Sequence, residues 1–537
     1  MRRKFFHLLF IAITLYSCAS LTTPTGGPKD KEPPKLIKSS PDSNQLNYKG
    51  QTIELTFNEL VKLNNPKEEI IISPSPGKTI DYKAKGTKIL ITPKDGWRDS
   101  TTYSIIFQEG IQDITEGNSP DNLKLAFSTG NTIDSLSIKG TIKDLLRGLN
   151  LEKMTVALMT TDTFDIFTDV PGYFTKTDSA GDFTLSNIRP SRYKIYAFDD
   201  RNKNLKVESR TERYGFKTSP IIVDHNIDSI EIGLINLDSR PLKLTSIRNT
   251  GLTTALRFNK FITDYSLVSD SSLTDSFGDN QTEVVIRNPV YSDDSLKVRI
   301  TASDSLYYKI DSLFFIKKGK TKPTKEDFKW SPGEPTVIEE TGKFTTLIKY
   351  NKPITRIDFD SLFIPLDTIK RIPITKEDIT FNLHRKEITL TKDLDKKLFK
   401  TYKSFKLTAG IGFLRTIDND TSKATSINVA IKRTEETGIL LIKVETKEAN
   451  FVIQLLNRDG KVVKSVQNER QITFKHLPPG ECQLRAIIDK NKNGAWDPGN
   501  IQNAEEPENV VFYRTVEQKL LFPIRANWEL GPLIIKF

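Results

Sequence analysis

Cysteine, histidine and methionine are scarce: two, four and three residues respectively in a chain of 537. Two cysteines exclude a disulfide framework. His225, His384 and His476 each stand without a second His or Cys at ligand spacing. No H-E-x-x-H, C-x-x-C, G-x-S-x-G or phosphate loop occurs. His476, between Lys475 and Leu477, reads as a surface residue of a turn. After the N-terminus no apolar run reaches the roughly 20 residues a membrane helix needs. No basic run with interleaved aromatics points to nucleic acid. The formal net charge of +11 is mild for this length and fits a solvated mixed surface. An enzyme is therefore not expected.

The chain is rich in what β-structure uses. Phe outnumbers Met thirty to three, and Thr, Ile, Val and Tyr are plentiful among many Asp, Asn, Gly and Pro. The length calls for several modules.

The N-terminus begins with Arg2, Arg3 and Lys4, then an apolar run from Phe5 to Tyr16. That order is a secretory signal. Its ending, Leu15-Tyr16-Ser17-Cys18, resembles a bacterial lipobox, which implies lipidation of Cys18 and removal of residues 1–17. Residues 18–34, rich in Thr, Gly and Pro, read as a flexible tether. A lipidated Cys18 leaves Cys482 without a partner, and alternation points Cys482 inward with Leu484.

One unit recurs three times. The alternating strand Thr52-Ile53-Glu54-Leu55-Thr56-Phe57 runs into Asn58-Glu59-Leu60-Val61. Phe258-Asn259-Lys260 with Ile262, and Tyr350-Asn351-Lys352 with Ile354, repeat the aromatic-Asn-(Glu/Lys)-x-(Val/Ile) pattern. Around the first copy, Tyr103, Ile105 and Phe107 share one face, and Leu123, Leu125 and Phe127 alternate. Asp113 to Asn118 form a turn-rich stretch between them. Short strands at this spacing predict β-sandwiches.

Pro33-Pro34 leading to Ser40-Pro41, Phe57-Asn58-Glu59-x-Val61, Thr102-Tyr103, Asp113 to Asn118 and Phe127-Ser128-Thr129-Gly130 resemble the SbsA-type bacterial Ig-like domain. The stretch Pro24-Thr25-Gly26-Gly27-Pro28-Lys29-Asp30 resembles the start of a Bacteroidota cell-envelope lipoprotein family that carries it. The resemblance is good over 33–130, weaker at 325–434 and slight at 240–322. It implies an Ig-like fold in a cell-envelope protein with no known chemistry.

A second repeat aligns Asp182 to Tyr193 with Gln471 to Cys482 without gaps, and the register continues to pair Asp200 with Asp489. Each copy is strand, Pro turn, strand. This pattern resembles the prealbumin-like, carboxypeptidase-regulatory type of sandwich. The expected fold is all-β: a 35–130 SbsA-type Ig-like domain, a 131–238 prealbumin-like sandwich, a degenerate Ig-like domain at 239–322, an Ig-like domain at 323–434 and a second prealbumin-like sandwich at 435–537.

The second repeat ends in D-K-N-K-N-G-A-W-D. Asp489, Asn491, Asn493 and Asp497, with Gly494 between, suit the first nine positions of a calcium loop. Position 12 is Asn500, Lys490 and Lys492 offset the carboxylates, and no flanking helices are expected. A plain Asn/Asp turn fits the same residues, and Glu505, Glu506 or Glu508 are further candidate ligands. The counterpart from Asp200 has Leu205 at the Gly position and reads as poorer in ligands. Among Trp97, Trp330, Trp496 and Trp528, the last is expected to pack beside a terminal strand. Trp496, in a loop, is the candidate binding aromatic.

These features lead to the expectation of a non-enzymatic, lipid-anchored outer-membrane lipoprotein, a string of sandwiches serving as scaffold or binding subunit for protein partners in the cell envelope. The competing reading is a surface adhesin or glycan-binding module, and the third a hydrolase of envelope polymers. Which face of the membrane it occupies stays open.

Overall fold

Alternating sequence becomes strand with the apolar face inward. The computed structural model describes residues 29–77, 79–160, 163–250, 253–278, 280–288, 295–317, 327–382 and 387–537. Cys18 lies outside them. The protein is all-β. Among the described residues the α-helical segments are two single turns, Pro66–Glu69 and Leu398–Thr401.

In the first module, Ile53–Phe57 lies between Leu36–Ser40 and Lys88–Pro93, with Ile80–Lys85 at the edge. The facing sheet is Ile71–Ser73, Thr102–Ile106 and Lys124–Ser128. Ile53, Leu55 and Phe57 meet Tyr103, Ile105 and Phe127 in one core. Each such fully buried side chain contributes about 1.5–3 kcal/mol. Thr102–Ile106 is buried on its other face too, because the second module covers it: Thr102 Oγ1 accepts the Asp134 N–H at 2.9 Å.

The second and fifth modules share one topology. Asp182–Ile188, Leu136–Asp144 and Ile227–Leu234 form one sheet, as do Gln471–Leu477, Gly438–Glu445 and Glu529–Lys536; the last pair is parallel in each. The opposite sheets run Tyr173–Lys176, Thr155–Met159, Ser191–Phe198, Tyr214–Phe216 and Val462–Gln467, Phe451–Asn457, Gly480–Ile488, Val510–Phe512. Cross-strand register matches: Val156 faces Ala197 as Ile453 faces Ala486. Asn187 and His476, aligned at the Pro turn, both adopt a φ of 57°. Cys482 is buried in the fifth core beside Leu484, and burial raises its thiol pKa.

The third module pairs a four-stranded sheet, with Thr253–Phe258 at its centre, against Asp264–Ser269, Ser295–Ser303 and Lys309–Lys317. The fourth differs from a simple two-sheet sandwich. Thr336–Ile338 pairs antiparallel with Lys343–Tyr350 and parallel with Thr425–Lys432, which merges both layers into one nine-stranded sheet around one core.

The thrice-repeated motif has one structural task. Asn58, Asn259 and Asn351 each accept the backbone N–H of an entering residue through Oδ1: Lys35 at 2.6 Å, Lys243 at 2.9 Å and Lys329 at 2.8 Å. Their own N–H groups donate to the carbonyls of the same three residues. Asn259 and Asn351 also donate from Nδ2 to Pro241 O and Asp327 O. A carboxamide supplies acceptor and donor together, so it holds the incoming segment just before that segment pairs with the strand ending in the aromatic, Leu36 with Phe57, Leu244 with Phe258 and Trp330 with Tyr350. The aromatic before it is buried in every copy and fixes where the Asn points. Asn351→Ala is expected to release the Lys329 N–H, so that its hydrogen exchange speeds up about tenfold, the equivalent of roughly 1–1.5 kcal/mol; exchange mass spectrometry reads this directly.

Candidate functional site

The residues singled out in the sequence gather where modules meet. After Gly480–Ile488 the fifth module enters its Asp/Asn loop. Asp489 Oδ1 accepts the Asn493 N–H at 3.1 Å and Oδ2 that of Gly494 at 2.9 Å. Asn491 and Asn493 use their Oδ1 atoms for the N–H groups of Asn493 and Ala495. Both carboxamides turn their nitrogens to Asp497 Oδ2, each at 2.8 Å. Glu508, only 4% exposed, accepts the N–H of Lys490 at 2.6 Å and of Asp497 at 3.1 Å. Burial pushes the Glu508 carboxyl above its usual range, and the nearby charges of Asp497 and Asp489 push the same way.

The loop of the second module is built alike. Asp200 accepts the N–H groups of Asn204 and Leu205, Asn202 that of Asn204, and Asn204 that of Lys206. Glu212 accepts those of Arg201 and Glu208. Contrary to the sequence reading, this loop is therefore not poorer in candidate ligands. Glu208 stands where Asp497 stands, and Glu212 takes the part of Glu508. Leu205, with φ 59°, adopts the left-handed conformation that Gly494 adopts with φ 76°; two carboxylate contacts hold the strained turn. Burial raises the carboxyls of Asp200 and Glu212 as well. Among the described residues, no group of three or more His, Cys, Asp or Glu side chains is arranged to hold a metal ion. The residues within reach of a cation are Asp489, Asn491, Asn493, Asp497 and Glu508, and here they are committed to the turn.

The copies part in length. Glu212 follows Glu208 by four residues, whereas Glu508 follows Asp497 by eleven. The longer excursion reaches two other modules. Asn500 Nδ2 donates to Leu306 O of the third module at 3.0 Å. Glu506 accepts the Thr218 N–H at 2.9 Å and its hydroxyl at 3.0 Å, beside Lys217 of the second module. Tyr307 donates to Asp497 Oδ1 at 3.2 Å.

Trp496 lies at the centre. Its indole N–H donates to Glu508 O at 3.0 Å. Its ring packs into a core with Tyr196, Tyr214, Leu237 and Leu306, and into a second with Val452, Ile487, Leu145 and Leu146. It is a joint residue, not an exposed binding aromatic, because two modules cover the ring. Arg485 reaches Leu146 O at 3.0 Å and Arg514 reaches Gly148 O at 3.1 Å. Gly148, with φ 68°, is required there: a Cβ would come within 2.6 Å of Phe512. The chain thus doubles back, with the fifth module against the second and third, rather than running as a string.

Buried charge marks the other joints. Lys260 pairs with Asp304, donates to Asp238 O at 3.0 Å and lies 4.4 Å from the Tyr308 ring centre. Lys352, its motif counterpart, is 2% exposed and pairs with Asp418 at 3.3 Å and Asp420 at 2.5 Å; Arg287 of the third module pairs with the same Asp418. His476 is not a plain surface residue, since its Nε2 lies 3.3 Å from Glu340 of the fourth module. Trp528 departs from its expected packing: it is 62% exposed, with the Arg525 guanidinium 5.2 Å from its ring. The sequence signal for the joint was the unequal spacing of the paired acids in the two repeats.

Residues 30–129 match the family model described as a bacterial Ig-like domain, so the first module is one. Among curated proteins none matches the chain. Surface layer protein SbsC, domains 1-6, is 11% identical over 86% of this chain and 66% of its own, at a TM-score of 0.16. BcpA, the major pilin subunit of Bacillus cereus, is 10% identical over 75% of this chain and 99% of its own, at 0.13. Dimeric latent PorU from Porphyromonas gingivalis is 11% identical over 50% of this chain and 34% of its own, at 0.21. At that level nothing about role follows.

Trp496→Ala removes the ring shared by both cores and is expected to weaken the joint by about 3 kcal/mol. Small-angle scattering should then show a larger radius of gyration, with hydrogen exchange accelerated at Leu145 and Asn500. Trp528→Ala should leave both unchanged.

Proposed function

We propose that the chain is a non-enzymatic outer-membrane lipoprotein of the Bacteroidota cell-envelope type, with an SbsA-type Ig-like first module, serving as a rigid scaffold or binding subunit for protein partners. The observation that carries this reading is the core shared by the second, third and fifth modules around Trp496. Modules that share a core keep a fixed relative orientation, as a scaffold requires, whereas a flexible string would not. The buried charged groups support it as well. Lys260, Asp304, Lys352, Asp489 and Glu508 are occupied in holding turns and joints. The Leu15-to-Cys18 pattern supports a lipid anchor on Cys18. Cys18→Ser is expected to abolish radiolabelled palmitate incorporation and to release the chain from the membrane fraction; a wild-type chain that takes up no label overturns the anchor.

Calcium is a second reading for the Asp489 loop, favoured by the Glu508 carboxyl beneath it, which burial and the nearby Asp497 and Asp489 charges hold above its usual range. Such a group ionises more readily beside a cation. Ligands would be Asp489, Asn491, Asn493 and Asp497 with Glu508, both carboxamides turning their oxygens inward. Millimolar calcium is then expected to raise Tm by several degrees over a chelator control, with the rise lost in Asp489→Asn; an unchanged Tm leaves the loop a plain turn.

A further inference from the structure

We propose that the open edge strand of the fifth module, Val462–Gln467, together with Lys492, docks an extended strand of a partner protein that carries a carboxylate at its leading end. The proposal rests on the reading of the chain as a partner-binding scaffold and names the surface.

In the second module the same edge is already covered. Tyr173–Lys176 meets the first module: the Phe174 N–H donates to Ser73 Oγ at 3.2 Å, the Ser75 N–H to Gly172 O at 3.0 Å, and Lys176 Nζ to Glu68 O at 2.7 Å. Lys203 pairs with the Glu68 carboxylate. The covering segment is therefore an acid followed by the short apolar strand Ile71–Ser73.

Register carries these contacts onto the fifth module. Val466 faces Ile453 as Thr175 faces Val156. Lys492 aligns with Lys203, and the two have φ 65° and 63°. Yet Val462–Gln467 has Phe451–Asn457 as its one strand partner among the described residues. The fourth module does not supply a cover, because Leu362–Pro365, placed as Ile71–Ser73 is in the first, pairs with its own Arg371–Pro373. Lys492 is exposed and has no ion-pair partner among the described residues. The edge reads Val-Val-Lys-Ser-Val-Gln, β-favouring with one lysine as its guard. Such an edge takes a strand through main-chain hydrogen bonds, and the free lysine selects the acid.

Hydrogen exchange of the full mature chain, with and without about 5 mM of a synthetic peptide copying residues 66–76, tests this. The expected result is exchange at Val462–Gln467 slowed about threefold or more, no change at Tyr173–Lys176, and loss of the effect in Lys492→Glu but not Lys492→Arg. No slowing, or slowing that survives Lys492→Glu, overturns the proposal. Slowing that follows protein concentration without peptide makes a second copy the occupant and overturns it too. Because the readout is independent of anchoring, an anchored chain blind to peptide fails here alone, and a peptide-binding chain that never reaches the membrane fails the envelope reading alone.

Discussion

A carboxylate buried beneath a turn must be given hydrogen-bond donors, and the architecture of this chain follows from how Glu508 receives them. Its two oxygens bind the Lys490 and Asp497 N–H groups, while its own carbonyl holds the Trp496 indole. One residue thereby fixes both ends of the loop and the direction of the ring between them. Without those donors the charge would cost several kcal/mol to bury. With them the loop is stiff enough to present Trp496, Asn500 and Glu506 to two neighbouring modules at once.

The same device appears at Glu212, but with a short return to the chain, and there the loop meets the first module through Lys203 and Glu68. One frame thus has two outcomes. In the second module the loop and edge strand lie against the first module through Glu68, Ser73 and Ser75. In the fifth, the lengthened loop reaches back to the second and third, and the edge strand is left open. The copies of the aromatic-Asn unit differ in a comparable way. Its Asn binds the incoming strand in each copy, whereas the following residue is a buried joint lysine at Lys260 and Lys352 and Glu59 in the first module.

Much of the fold was legible because strand alternation is local. Ile53, Leu55 and Phe57, or Leu484 and Ala486 beside Cys482, announce their buried face by period two, and the all-β class follows from many such runs. The site was legible only in part. Asp489, Asn491, Asn493 and Asp497 stood out as a loop, but two chemistries use the same oxygens, a cation and a set of backbone N–H groups. Trp496 was conspicuous in a loop and took on the opposite meaning once two modules covered it.

The sequence by itself determined the strands, their inward faces, the two families of repeat and the positions of the turns, since each depends on residues a few places apart. Only the tertiary structure decided which modules touch. The fold-back of the fifth module joins Arg485 to Leu146 and Asn500 to Leu306 across long stretches of chain. Contacts of that kind carry no periodic signal: they depend on a loop's reach and on the shape of surfaces that exist only after each sandwich has closed.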